Sequence, residues 1–177
     1  MGKIRVGFGY DVHQLVDNRE LWLGGIRIEH QKGLLGHSDA DVLIHAICDA
    51  LLGAANMRDI GYHFPDTSEE FHLIDSKILL KKTIELIAQK GYHVGNVDAT
   101  VCAERPKLKA HIPAMQTCLA EVMGIEPDDV SIKATTTEKL GFTKLSNCKF
   151  QNNPNAVVPN NISCKIITGH ICPYNKY

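Results

Sequence analysis

Apolar residues alternate with small or polar ones from Ile4 to Tyr10, the pattern of a two-faced strand. Leu21-Trp22-Leu23 and Ile26-Arg27-Ile28 flank Gly24-Gly25, which predicts a hairpin with a two-residue turn. From Asp39 to Asn56 the spacing becomes helical. Ala40, Leu43, Ile44, Ile47, Ala50, Leu51 and Ala54 cover more than one face, and Ser38 or Asp39 is available as N-cap. A second helix is predicted over Ile74–Gln89, with Leu80, Ile84, Ile87 and Ala88 on one stripe, Lys81, Lys82 and Glu85 on another, and Gly91 as the stop. A third follows Pro113, with Met115, Leu119 and Val122 ahead of Gly124. His93–Cys102 and Val130–Ala134 read as strands, and Ile162–Thr168 as a closing strand. Asp59–Thr67 and Ala103–Lys109 read as loops, and residues 147–161, with six asparagines and two prolines, as an irregular stretch.

Composition narrows the class. A chain of 177 residues is one domain by length, and 44% apolar with 22% charged residues is ordinary for a soluble globular protein. A net charge of −1 argues against a broad nucleic-acid or membrane-surface footprint, so any anion site is local. The six cysteines are scattered without a Cys-x-x-Cys pair, which fits reduced thiols in a cytosol-like compartment. The N-terminus does not read as a signal peptide, and no apolar run approaches the roughly 18 residues of a membrane span. The expectation is a cytoplasmic protein.

Candidate chemistry concentrates in Tyr10-Asp11-Val12-His13, placed where the first strand is expected to end. Side chains at i and i+2 of a strand point to one side, so Asp11 and His13 can share a target. If the helix begins at Asp39, then His37, Asp41, His45 and Asp49 follow at i+4 spacing as a polar stripe on an otherwise apolar helix. Burying that stripe without partners would cost several kcal/mol. Asp11, His13 and His45 suit a Zn²⁺ with an open fourth position, although His45 alone also fits a satisfied core histidine. The Asp59–Thr67 loop suits a binding loop or a plain connector. Arg105, Lys107 and Lys109 suit a nucleotide or phosphate grip or simply a solvated surface. Thr135-Thr136-Thr137-Glu138 suits a diphosphate and a harder cation, or a threonine-rich strand end.

Taken together, these stretches resemble the 2-C-methyl-D-erythritol 2,4-cyclodiphosphate synthase family. The matching pieces are Gly9-Tyr10-Asp11-Val12-His13, Gly33 to Asp41, Asp49 to Ala54, Asp59-Ile60-Gly61, Phe64-Pro65-Asp66, Gly95 to Ala99, Arg105-Pro106-Lys107 and Lys133 to Thr143, in the family's order and covering nearly all of residues 4–143. The resemblance implies an α/β (α+β-like) single domain, 1–177, with a mixed sheet and helices mainly on one face. It further implies a homotrimer with active sites shared between subunits. It implies Zn²⁺ on Asp11, His13 and His45, and Mg²⁺ or Mn²⁺ held by Glu138 on the substrate diphosphate. His37 and Thr136 match residues that stabilise the transition state. Asp11, Val12, His13, His37, Ser38, Asp59, Ile60, Gly61, Phe64, Pro65, Asp66, Thr67 and Ser68 match contacts to the methylerythritol phosphate side. Ala103, Glu104, Arg105, Pro106, Lys107, Leu108, Lys109, Ala134, Thr135, Thr136, Thr137, Glu138 and Phe142 match the cytidine diphosphate side.

In the implied reaction the 2-phosphate of 4-diphosphocytidyl-2-C-methyl-D-erythritol 2-phosphate attacks the β-phosphorus and expels CMP. The nucleophile is already an anion, so the site needs cations and positioning rather than a general base. After Phe142-Thr143 the chain departs from the family. Lys144-Leu145-Ser146 stands where a Gly-Arg pair is expected, and residues 144–177 are atypical. Either an insertion delays the last strand to Ile162–Thr168 or the C-terminus has been replaced. Two other readings remain open at this point: a zinc-dependent nucleotide hydrolase, and a non-catalytic binder of CMP or isoprenoid diphosphates.

Overall fold

The computed structural model describes residues 4–136 and the backbone of residues 161–173, which form a mixed α/β domain. Strand β1 (Arg5–Asp17) is followed by β2 (Leu21–Leu23), β3 (Ile26–Ile28) and β4 (Lys32–Leu34). Helix α1 (Val42–Ala54), the single-turn α2 (Ile60–His63) and α3 (Ser76–Gln89) come next. The rest is β5 (Tyr92–Cys102), α4 (Ile112–Met123), β6 (Val130–Thr135) and β7 (Asn161–Pro173). The main sheet has the order β4-β1-β7-β5-β6; β5 and β6 run parallel, joined through α4, and the other neighbours are antiparallel. The closing strand is therefore present and central, and longer than Ile162–Thr168. Of the stretch 147–161 read as irregular, residues 147–160 fall outside the described residues, and Asn161 is instead the first residue of β7.

Alternation along β1 gives the strand two different faces. Its odd positions turn towards α1, where Gly7 and Gly9 are buried. A Cβ on Gly7 would lie 1.8 Å from the Ala50 carbonyl oxygen, and one on Gly9 1.9 Å from that of Ala46. Only glycine admits a helix backbone this close. The even positions Val6, Phe8 and Val12 are 60%, 60% and 40% exposed, so among the described residues nothing covers this apolar face.

The core is assembled from Leu43, Ile44, Ile47 and Leu51 of α1, Val97, Ala99 and Val101 of β5, and Leu80, Ile87, Met115 and Leu119 of α3 and α4. Each such Leu or Ile contributes about 1.5–3 kcal/mol by leaving water. The hairpin forms as expected: Gly24 and Gly25 both take positive φ, 62° and 77°, which suits a tight turn between twisted strands.

Three boundaries differ from the sequence reading. Asp11 and His13 lie mid-strand rather than at its end, because β1 continues to Asp17 by pairing Leu15, Val16 and Asp17 with Leu34, Gly33 and Lys32. Helix α1 begins at Val42 rather than Asp39. Ala40 has φ 59°, and Asp41 is the cap, its Oδ1 accepting from the Leu43 and Ile44 amides at 3.1 Å each. The Asp59–Thr67 segment contains one helical turn, since Asp59 Oδ1 accepts from the Tyr62 amide at 2.9 Å.

Gly9→Ala should drive the strand and α1 apart. Denaturant unfolding should show a loss of about 1–3 kcal/mol or more, and an unchanged midpoint would contradict the close approach.

Candidate metal centre and adjoining cavities

Asp11 and His13 project from the α1-facing side of β1, and His45 sits on the first turn of α1. The strand and the helix thus bring three remote side chains to one point. His13 Nε2 lies 3.0 Å from Asp11 Oδ2, His45 Nδ1 lies 3.1 Å from the same oxygen, and the two nitrogens are 3.3 Å apart. A tetrahedral ion with ligands at about 2.0–2.1 Å needs them about 3.3 Å from one another. The triangle has that size. Among the described residues this is the one group of three or more His, Cys, Asp or Glu side chains able to hold a metal ion.

The hydrogen bonding points the same way. His13 Nδ1 donates outward to the Leu35 carbonyl at 2.6 Å, which leaves the Nε2 lone pair facing the Asp11 carboxylate. Two acceptors at this distance require a proton or a cation between them. Without metal, the proton fills the role. Burial would raise the Asp11 carboxyl, but hydrogen bonds from His13 and His45 and their charge outweigh it and hold Asp11 well below the usual carboxylate range. Burial would lower His13, yet the hydrogen bond and charge of Asp11 raise it above 6.5.

The other members of the expected polar stripe serve the fold. Asp41 is fully buried, and beyond its cap bonds its Oδ2 accepts from the Gly25 amide at 2.7 Å, tying the hairpin to α1. Burial pushes its carboxyl up against those bonds. Asp49 Oδ1 accepts from the Ile60 amide at 2.8 Å and so positions α2. His37 precedes α1 altogether. The expectation that this stripe requires a ligand therefore holds for His45 alone; backbone amides satisfy both aspartates.

Beside the triangle opens a cavity of about 390 Å³ whose lining includes His13, His45, His37, Ser38, Ile60, Gly61, Phe64 and Asp66. Phe71, Leu79 and Gly36 complete it. His37 Nε2 lies 3.4 Å from the Ser68 carbonyl, and its ring packs 4.8 Å from that of His72. Val12 faces the opposite side of β1, and Asp59, Pro65, Thr67 and Ser68 lie outside the lining. A second cavity of about 230 Å³ is lined by Ala103, Pro106, Lys107, Leu108, Lys109, Ala134, Thr135 and Thr136. Glu104 and Arg105 do not line it, and Thr137, Glu138 and Phe142 lie outside the described residues. The two cavities share no lining residue.

Sequence reasoning missed the Leu35 carbonyl, Asp39 and Ser76, all of which support the imidazoles. His45 Nε2 lies 3.1 Å from Ser38 Oγ and 3.0 Å from Ser76 Oγ, and the latter donates to Asp39. An Asp-Ser pair at a helix start signals a cap, and nothing local reveals that its hydroxyl reaches an imidazole 31 residues away.

Comparison with known proteins gives concordant matches. The model of the YgbB family matches residues 4–149. The 2-C-methyl-D-erythritol 2,4-cyclodiphosphate synthase of Bacteroides fragilis is 82% identical over 141 residues, covering 80% of this chain and 89% of that protein. Among solved structures, the bifunctional IspDF from Campylobacter jejuni superimposes with a TM-score of 0.82 at 35% identity, over 98% of this chain and 43% of that one. This chain therefore spans less than half of the bifunctional protein. The IspF CDP complex from Plasmodium falciparum gives a TM-score of 0.76 at 31% identity, over 99% of both chains.

Metal uptake should release a proton, since an ion must displace the one His13 holds at pH values up to and beyond 6.5. Affinity should rise with pH until His13 is neutral and then level off. Calorimetric titration with Zn²⁺ in buffers of different protonation enthalpy measures both, and a pH-independent affinity from about pH 6 to 8 would contradict the arrangement.

Proposed function

The chain belongs to the YgbB family and forms 2-C-methyl-D-erythritol 2,4-cyclodiphosphate, a lyase reaction, and from that premise we propose how its residues divide the work. The substrate is 4-diphosphocytidyl-2-C-methyl-D-erythritol 2-phosphate, and CMP leaves as the ring closes. The observation that carries the reading is the Asp11, His13 and His45 triangle, whose two histidines line the larger cavity.

Asp11, His13 and His45 would hold Zn²⁺, which when bound polarises phosphoryl oxygens and offsets repulsion between two anionic groups. Asp11, His13, His37, Ser38, Asp59, Ile60, Gly61 and the Phe64–Ser68 segment would hold the methylerythritol phosphate end. Ile60, Phe64, Phe71 and Leu79 give that cavity an apolar wall, which would limit water and favour ring closure over hydrolysis. His37 would steady charge on a phosphoryl oxygen from this side and Thr136 from the other. Lys107 and Lys109 would offset the charge of the cytidine diphosphate, with Ala103, Ala134 and Thr135 shaping its pocket. Glu138 would hold Mg²⁺ or Mn²⁺; this assignment rests on the family resemblance. The attacking phosphate needs no proton removed, so the residues position and neutralise rather than deprotonate.

The family resemblance implies active sites shared between subunits, so the larger cavity of one chain would adjoin the smaller cavity of its neighbour. The face of β1 that no described residue covers supports this: Val6, Phe8 and Val12 form an apolar surface of the kind that marks an interface. With helices mainly on the other face of the sheet, three such faces would meet as a homotrimer. No helix among the described residues is long and apolar enough to cross a membrane, and a cytoplasmic location fits the scattered cysteines.

His45→Ala should abolish zinc binding and reduce turnover to background. Assay by ³¹P NMR should show wild-type protein yielding CMP and the cyclic diphosphate together. Unchanged zinc stoichiometry in the variant, or an uncyclised doubly phosphorylated product from the wild type, would refute the assignment. Phe8→Asp should convert a native mass of three chains to one, and a trimer retained in that variant would sink the interface reading.

A further inference from the structure

The cavities, the exposed face of β1 and the basic loop are absorbed by the reading above, whereas the partly buried Asp39–Ser76 pair is not. Ser76 is fully buried at the start of α3 and caps nothing, since Asp75 accepts from the Lys77 amide at 2.8 Å as the N-cap. Its hydroxyl lies 2.5 Å from Asp39 Oδ1, and its amide donates to Asp39 Oδ2 at 2.9 Å. A carboxylate oxygen only accepts, so the Ser76 proton points at Asp39. The Ser76 oxygen therefore has only lone pairs to offer His45 Nε2, 3.0 Å away. That nitrogen must carry hydrogen, whether or not Nδ1 also holds the proton that bonds Asp11 in the metal-free site.

Ser38 does not dictate the same direction. Its oxygen accepts from the Ala40 amide at 3.0 Å, but its own proton is free to turn towards His45 Nε2. Only the Asp39–Ser76 pair excludes the tautomer in which Nδ1 holds the hydrogen. We propose that Asp39 and Ser76 are positioning residues which lock His45 as the Nε2–H tautomer and so aim its Nδ1 lone pair at the ion site shared with Asp11 and His13. This rests on the metal-centre reading of that triangle.

Two measurements test it. In zinc-free protein, at a pH where the ¹⁵N shifts themselves show the His45 ring to be neutral, those shifts should report the Nε2–H form. Ser76→Ala and Asp39→Asn should each shift the ring towards a mixture of tautomers. Zinc affinity, from competition with a chromophoric chelator, should fall about 10–100-fold in both variants. Thermal melts provide the folding control: Ser76→Ala leaves the Asp75 cap in place, and a purely structural role would lower the melting temperature without changing the His45 tautomer. Wild-type ¹⁵N shifts and zinc affinity in folded Ser76→Ala would overturn the proposal. If His45→Ala itself leaves zinc binding intact, the metal-centre reading fails first. If only the Ser76 and Asp39 variants bind normally, the positioning role fails alone.

Discussion

The closeness of β1 to α1 is the constraint on which the structure depends. Gly7 and Gly9 let the helix lie with its Ala46 and Ala50 carbonyls where any side chain would stand. Asp11 and His13 continue the same face of the same strand, so the contact that packs the core also sets their distance from His45. Packing and chemistry share one geometric requirement. A slip of β1 by one residue would turn both ligands to the uncovered side and bring Val6, Phe8 and Val12 inward.

Around that contact, several polar side chains hold the elements in place. Asp41 joins the hairpin to the start of α1, Asp49 holds α2, and His13 leans on the Leu35 carbonyl. Among the described residues, these bonds leave one group of three such side chains able to hold a metal ion, the triangle of Asp11, His13 and His45. A divalent cation satisfies it more completely than a proton can, because it reaches all three atoms at once.

Much of this was legible in the chain. The Asp-x-His spacing on a strand and the helical run around His45 correctly grouped the three ligands, since periodicity decides which way a side chain points. The start of α1 was not legible, because Ser38, Asp39 and Asp41 are all good caps and the choice fell to Asp41, which also receives the Gly25 amide. For the same reason His37 was placed on the helix, and the two aspartates, which backbone amides satisfy, were misread as ligand-seeking. Ser76 was invisible for a different cause: its partners His45 and Asp39 lie 31 and 37 residues away, and contact between distant segments leaves no period in the sequence. The strand after the asparagine-rich stretch was readable from its own apolar run, but its place between β1 and β5 was not.

That central place has an implication for biosynthesis. As the chain leaves the ribosome, β1 can pair at once with the nearby β4, but its other edge stays open until residues as late as Ile171, the partner of Arg5, have been translated. A nascent chain at this stage would carry an unsatisfied strand edge bearing the ligand side chains through most of its synthesis, the situation in which chaperones shield growing polypeptides from aggregation.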